Sequence, residues 1–179
     1  MQSSLSVKRI FKDLKKLNET KLVGIAACIP DEQNITKVHA NILIQEGLYK
    51  GLLIPIILEL PIDYPLSPPA AYVIEQHPFN HKFHEHVLKK YGNYEGCSIC
   101  TDLTSNFASY FQEKKGSGWS PAYTIQSVLI QLQTFLARPD LPKKLLPSIG
   151  QIKQTLENAK NFVHTIKQTD NGQTTDKIS

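Results

Sequence analysis

Apolar positions along this chain change their period more than once, and the changes predict its elements. In SSLSVKRIFKDLKKL, Ile10, Phe11, Leu14 and Leu17 recur at helical spacing behind serines able to cap a helix. The period then drops towards two. LVGIAACI, TKVHANILI, LLIPIILEL and AYVIE read as four successive strands, with Val38, Ala40, Ile42 and Ile44 alternating as in a half-buried strand. The third is more continuously apolar, and Pro55 inside it predicts an edge or a bulge. A helix followed by a run of strands predicts an α+β domain, an antiparallel meander with helices packed on one side.

From His77 to Trp119 the periodicity fades into a stretch rich in His, Gly, Asn and Ser, which predicts a long irregular segment of the kind that often carries function. Within it, SNFASYFQEKKGSG reads as a short amphipathic helix around Phe107, Tyr110 and Phe111, followed by a flexible Gly-Ser link. Helical spacing returns after Thr124, a candidate cap, with Ile125, Val128, Leu129, Leu132, Phe135 and Leu136 on one stripe, and Arg138-Pro139 ends it. Ile149, Ile152, Leu156, Ala159, Val163 and Ile166 predict a last helix. The tail TDNGQTTDKIS is too polar to pack. The domain reading is a core over 1–147, a C-terminal helix over 148–168 and a flexible tail over 169–179.

Composition narrows the function. With 179 residues, 41% of them hydrophobic and 20% charged, the chain suits one domain with a real core. A net charge of +4 with a balanced acid count argues against nucleic acid as the partner. No apolar run approaches the length of a membrane span, and no charged-then-apolar leader opens the chain. Three cysteines, an odd number, argue for a reducing compartment, so cytosol or nucleus is expected.

The candidate chemistry is in GCSICTDL, Gly96 to Leu103. Cys97 and Cys100 have a zinc-like spacing, with His77, His81, His84 and His86 upstream, but no second close cysteine pair completes a site. A redox CxxC belongs at a helix start in a βαβ setting, and the strands here form a meander. A cysteine protease needs a paired His, and nothing local supports one beyond the abundance of histidines. On the residues alone, a single functional thiol and a buried structural thiol both stay open.

The motif order goes further. YKG at Tyr49 to Gly51, LPIDYPLSPP at Leu60 to Pro69, HP at His77 and Pro78, SIC at Ser98 to Cys100 and WSPAYTI at Trp119 to Ile125 together resemble the ubiquitin-conjugating enzyme family over about Ser6 to Leu141. The resemblance implies that family's fold: an N-terminal helix, a four-stranded meander, a long active-site segment and C-terminal helices. It implies that Cys100 is the acceptor and Cys97 a bystander. Cys100 would take ubiquitin, or a ubiquitin-like protein, from an activating enzyme as a thioester and pass it to a lysine or a ligase. No cofactor is implied, since ATP is used by the activating enzyme.

The family's His-Pro-Asn is HPFN here, with Phe79 in the expected place of Asn. The resemblance then offers Asn80, or from the cysteine side Asn93, as the amide donor to the oxyanion. Asp140 and Asp102 are the carboxylates that could orient the incoming amine. The family's strand tryptophan is replaced by His39, read as a core histidine. Insertions flank the thiol on both sides. The family's partner surface maps to Lys8, Arg9 and Lys12 of the first helix, Leu66 of the first loop, and Pro121 and Ala122 of the second. Two rival readings stay open: an inactive variant of the same fold serving as a ubiquitin-binding or scaffold module, and a zinc-stabilised interaction domain. All of this requires an accessible Cys100 sulfur.

Overall fold

In the computed structural model the described residues are 4–47, 49–74, 84–91, 94–105 and 118–138, together with 150, 153, 154 and 157; at 74, 84–91, 94 and 95 the description is of the backbone. Helix α1 spans Ser4–Thr20 and buries Ile10, Leu14 and Leu17, so the predicted stripe holds except at one place. Phe11 is 53% exposed, because it stands about 100° round the helix from Ile10. The stripe also includes a charge, Asp13, which is buried.

The strands are β1 (Ile25–Cys28), β2 (Lys37–Leu43), β3 (Leu53–Glu59) and β4 (Ala70–Ile74), followed by two more, β5 (His84–Tyr91) and β6 (Tyr94–Ile99). They form one antiparallel sheet of six strands in the order β1-β2-β3-β4-β6-β5. The four-strand meander is therefore correct for β1 to β4. The expectation of irregular chain after it is corrected by the β5–β6 hairpin, which adds to the edge of β4. Its sequence hides it because three successive residues of β6, Gly96, Cys97 and Ser98, are small. Gly96, Cys97 and Ser98 are all buried, and a Cβ on Gly96 would stand 2.8 Å from the Val73 carbonyl oxygen of β4. Close backbone approach, not hydrophobic alternation, places that strand.

Pro55 lies in an interior strand and not at a bulge, but it stands at a local edge of the ladder. It pairs with Asn41 of β2, while the β4 ladder ends at Ile56, so no strand partner is deprived of its missing N–H on that side. Val38, Ala40 and Ile42 of β2, Ile54, Ile56 and Leu58 of β3, Ala71 and Val73 of β4 and Ile99 of β6 join the buried side chains of α1 in one core. The second described helix, α2 (Ile125–Leu136), contributes Ile125, Val128, Leu129, Leu132 and Leu136. Full burial of each such side chain contributes about 1.5–3 kcal/mol. Thr124 is the N-cap as predicted: its hydroxyl accepts from the Ser127 N–H at 3.2 Å, and the Thr124 N–H donates to the Ser127 hydroxyl at 3.3 Å. The far end of α2 is pinned by Gln133, whose Nε2 donates to the carbonyl oxygens of Leu43 at 3.0 Å and Val23 at 3.3 Å.

Gly150, Lys153, Gln154 and Glu157 are helical and exposed, within the span predicted for the last helix. The short helix expected around Phe107 lies outside the described residues. No helix among those described is long and apolar enough to cross a membrane.

Candidate functional site

Cys100 follows the last residue of β6, at the point where the chain leaves the sheet and turns towards α2. A single hydroxyl shapes that turn. Thr104 Oγ1 accepts from the Thr101 N–H at 3.0 Å, and its own hydrogen faces the carbonyl oxygens of Thr101 at 2.9 Å and Ile99 at 3.1 Å. The Thr104 N–H closes the loop on the Thr101 carbonyl at 2.9 Å. Helix α2 grips the same turn from outside. Gln131 Oε1 accepts from the Thr101 hydroxyl at 3.0 Å, and Gln131 Nε2 donates to the Asp102 carboxylate. The turn ends where the Ser105 N–H donates to the Pro69 carbonyl at 2.9 Å, at the foot of β4.

The thiol itself corrects an expectation. Cys100 is 4% exposed and Cys97 6%, so neither sulfur stands open at the surface. Cys97 lies opposite Val73 in the β4–β6 ladder. No three His, Cys, Asp or Glu groups come together as a metal site among the described residues; the side chains of His81, His84 and His86 lie outside them. Asp102 is exposed but tied to Gln131, which gives its carboxylate a strut's role in this conformation. Asn80, Asn93 and Asp140 lie outside the described residues.

A second polar constellation joins α1 to the two loops that carry Leu66 and Pro121. The Asp13 carboxylate accepts from Arg9 Nε at 2.9 Å, from the Tyr64 hydroxyl at 2.6 Å and from the Ile125 N–H at 3.3 Å. Arg9 then reaches across, donating to the carbonyl oxygens of Pro121 at 3.0 Å and Tyr123 at 2.6 Å, with its guanidinium carbon 6.0 Å from the centre of the Tyr64 ring. Burial, together with the hydrogen bond to Asp13, pushes the Tyr64 phenol well above its usual range, so it stays a donor. Trp119 seats between the loops: its indole N–H donates to the Pro65 carbonyl at 3.0 Å, and its ring centroid lies 6.1 Å from that of Tyr64 and 5.9 Å from that of Tyr123.

On this framework apolar side chains face solvent. Leu66 is 71% exposed, Ile62 59% and Leu5 75%, and Pro121 and Ala122 are exposed in the loop that Trp119 ties to Pro65. Ser6 ties the two ends of that edge together, its hydroxyl donating to the Ile62 carbonyl at 3.4 Å. Lys8 and Lys12 are exposed as expected. Arg9 is half-buried, and each of its three nitrogens donates one hydrogen bond within the protein. Ile62, Leu5, Asp13, Tyr64, Thr104 and Gln131 were missed. A carboxylate on the α1 apolar stripe was the available signal for Asp13, since a buried charge demands partners.

His39 is buried, in agreement with its reading as a structural residue, but on the sheet face away from the core cluster, in the cross-strand row Cys28, His39, Ile57, Tyr72 and Ser98. Burial, then the nearby Lys37 charge, lowers its pKa to about 4.

The family model described as ubiquitin-conjugating enzyme matches residues 9–170. The chain is 30% identical over 164 residues to ubiquitin-conjugating enzyme E2 1 of Schizosaccharomyces pombe, covering 90% of this chain and 64% of that relative, so it spans less than two thirds of that protein's length. It is 27% identical over 164 residues to ubiquitin-conjugating enzyme E2 1 of Caenorhabditis elegans, covering 91% of this chain and 72% of the relative. Among solved structures, human ubiquitin-conjugating enzyme E2 G1 matches with a TM-score of 0.58 at 23% identity, over 76% of this chain and 97% of that one. Ubiquitin-conjugating enzyme E2 UbcA1 of Agrocybe aegerita matches with a TM-score of 0.55 at 25% identity, over 78% of this chain and 86% of that one.

Proposed function

The chain belongs to the ubiquitin-conjugating enzyme family, and from that premise we propose that Cys100 accepts ubiquitin or a ubiquitin-like protein as a thioester. The Cys100 thiolate attacks the carbonyl carbon of the thioester on the activating enzyme, the new C–S bond forms, and the activating enzyme's thiolate leaves and takes up a proton. In the second step a substrate lysine amine, or a ligase thiol, attacks the same carbonyl and Cys100 leaves as the thiolate. The oxyanion of each step needs a donor, and Asn80 is the first candidate and Asn93 the second; loss of one such donor costs ~10²-fold or more in rate. Asp140 is the carboxylate proposed to orient the amine. No cofactor is required, ATP being consumed by the activating enzyme, and the expected setting is cytosol or nucleus.

The observation that carries this reading is the place of Cys100: at the end of β6, in a turn fastened to both the sheet and α2. Its 4% exposure adds a requirement, because a second polypeptide's terminus reaches the sulfur only after the thiol is uncovered. The exposed edge of Leu66, Ile62, Pro121 and Ala122, with Lys8 and Lys12 at its rim, is proposed as the docking site for ligase and activating enzyme.

The same burial favours a second reading, a non-catalytic scaffold of this fold. One experiment separates them. With activating enzyme, ATP and a panel of ubiquitin-like proteins, a non-reducing gel should show a reductant-sensitive adduct that is lost in Cys100→Ser and kept in Cys97→Ser. No adduct with any modifier would leave the scaffold reading standing. Slower lysine discharge in Asn80→Ala than in Asn93→Ala would assign the donor.

A further inference from the structure

We propose that Thr104 is the positioning residue for Cys100, holding the two peptide units that flank it; the consequence for transfer rests on the acceptor reading above. The Ile99 carbonyl belongs to the peptide before Cys100, and the Thr101 N–H to the peptide after it. Both meet one atom, Thr104 Oγ1, at 3.1 and 3.0 Å. That atom sits on a fully buried residue, 0% exposed, and Thr101 beside it is buried as well. Water therefore does not compete for these groups, and a buried backbone donor left unmade is costly. A hydroxyl is suited to this task because it accepts from the Thr101 N–H while its one hydrogen is shared between the Ile99 carbonyl and that of Thr101, at 2.9 Å; no aliphatic side chain of the same shape can do either.

With both neighbouring peptides fixed, the direction of the Cys100 Cα–Cβ bond is fixed too. The sulfur's position then depends on χ1 alone, which takes one of a few staggered values. A fixed Cα–Cβ direction limits the lines along which the sulfur can meet a carbonyl, which is what attack along one trajectory on a bulky thioester requires. Gln131 reinforces the arrangement by holding the Thr101 hydroxyl and the Asp102 carboxylate from α2. Thr104 touches no reacting atom; its effect passes through the backbone.

Three measurements on the full chain test this. In the unmodified protein, hydrogen exchange at the Thr101 amide should be slowed at least about tenfold relative to an unstructured peptide of the same sequence. Exchange at the unstructured rate would overturn the proposal, whether or not any variant folds. Second, iodoacetamide labelling read at each cysteine by mass spectrometry should rise about tenfold at Cys100 in Thr104→Val, the size expected from losing one net hydrogen bond, with Cys28 and Cys97 little changed. Thr104→Ser, which keeps the hydroxyl, should label as the unmodified protein does. An equal rise at all three cysteines, or Ser behaving as Val, would mean general loosening and would overturn it. Third, charging turnover should fall about tenfold in Thr104→Val while KM for the modifier-loaded activating enzyme stays unchanged, because Thr104 contacts no partner. A change confined to KM would overturn the assignment. If exchange and labelling behave as expected but no modifier is ever taken up, the acceptor reading fails while the hold of Thr104 on the thiol stands.

Discussion

At Leu66, Ile62 and Pro121, apolar side chains stand in solvent on loops tied down from beneath, whereas at Cys100 the side chain is buried and the chain on either side of it is tied down by one hydroxyl. The first region is fastened by charge: the Asp13 carboxylate gathers Arg9, the Tyr64 hydroxyl and the Ile125 N–H, and Arg9 extends the hold to Pro121 and Tyr123. The second is fastened by neutral groups, Thr104 and the Gln131 amide, with Asp102 as the one ion. The difference suits what each surface has to present. An exposed edge keeps its shape for an incoming partner if its supports are strong and buried, whereas a sulfur proposed to react needs a backbone that holds its direction.

The comparison breaks most severely at Asp13. Asp13→Ala leaves the Tyr64 hydroxyl and the Ile125 N–H without their acceptor and Arg9 without its counter-charge. Urea denaturation should report a loss of roughly 3–5 kcal/mol. Hydrogen exchange in the same variant should speed up over 61–67 and 119–125 before it does at Thr101. Equal acceleration in both regions would show that they are not separately fastened.

Acid is expected to act on the other side. His39 has a folded pKa of about 4, below its ordinary 6.5, so the unfolded chain binds the proton more readily. The stability due to its neutral form is fully present above pH 6.5 and is lost as pH falls from there towards 4, by at most about 3 kcal/mol. His39 shares its cross-strand row with Ser98, two residues from Cys100. The loss should be seen in denaturation midpoints between pH 7 and 5, and His39→Gln should flatten that slope. An unchanged slope in the variant would remove His39 as its cause.

Thr124→Ala sharpens the contrast differently, since α2 serves both regions through Ile125 and Gln131. It should cost ~1 kcal/mol, read as a lower Tm, with exchange rising in both regions together. Leu66→Ala lies at the small end. Its side chain is exposed, so stability should shift by no more than about 0.5 kcal/mol, while ligase-stimulated discharge falls and ligase-free discharge stays the same. A fall in ligase-free discharge would place Leu66 in the chemistry and not in docking.

Much of the framework was legible because it depends on period. Ile10, Leu14 and Leu17, the alternation in β2 and the Thr124 cap followed by the α2 stripe are local patterns with local causes. What escaped depends on tertiary contact. Gly96, Cys97 and Ser98 look like loop residues, and pairing with β4 and β5 makes them a strand. Phe11 carries the composition of a core residue but lies off the buried face of α1. Arg9 looked like one more lysine-like charge on a basic face, and its planar guanidinium is instead spent on a carboxylate and two carbonyls. The choice of Cys100 as the candidate acceptor followed from the motif, whereas the strand before it and its burial depend on packing that no short stretch of sequence encodes. Thr104 was overlooked because a threonine near a turn is common, and its importance lies in which two peptides it meets.

Trp119 is the sole tryptophan of the chain, and it sits under the exposed edge, against Tyr64 and Tyr123. Its emission is therefore a built-in optical gauge of that neighbourhood, needing no label. A protein that settles over Leu66 and Pro121 changes the water around the indole and so its wavelength, and titrating the signal yields a dissociation constant directly. Because Gly118, the neighbour of Trp119 in the chain, lies against the Asp102 side chain, the same emission also senses the turn that holds the thiol.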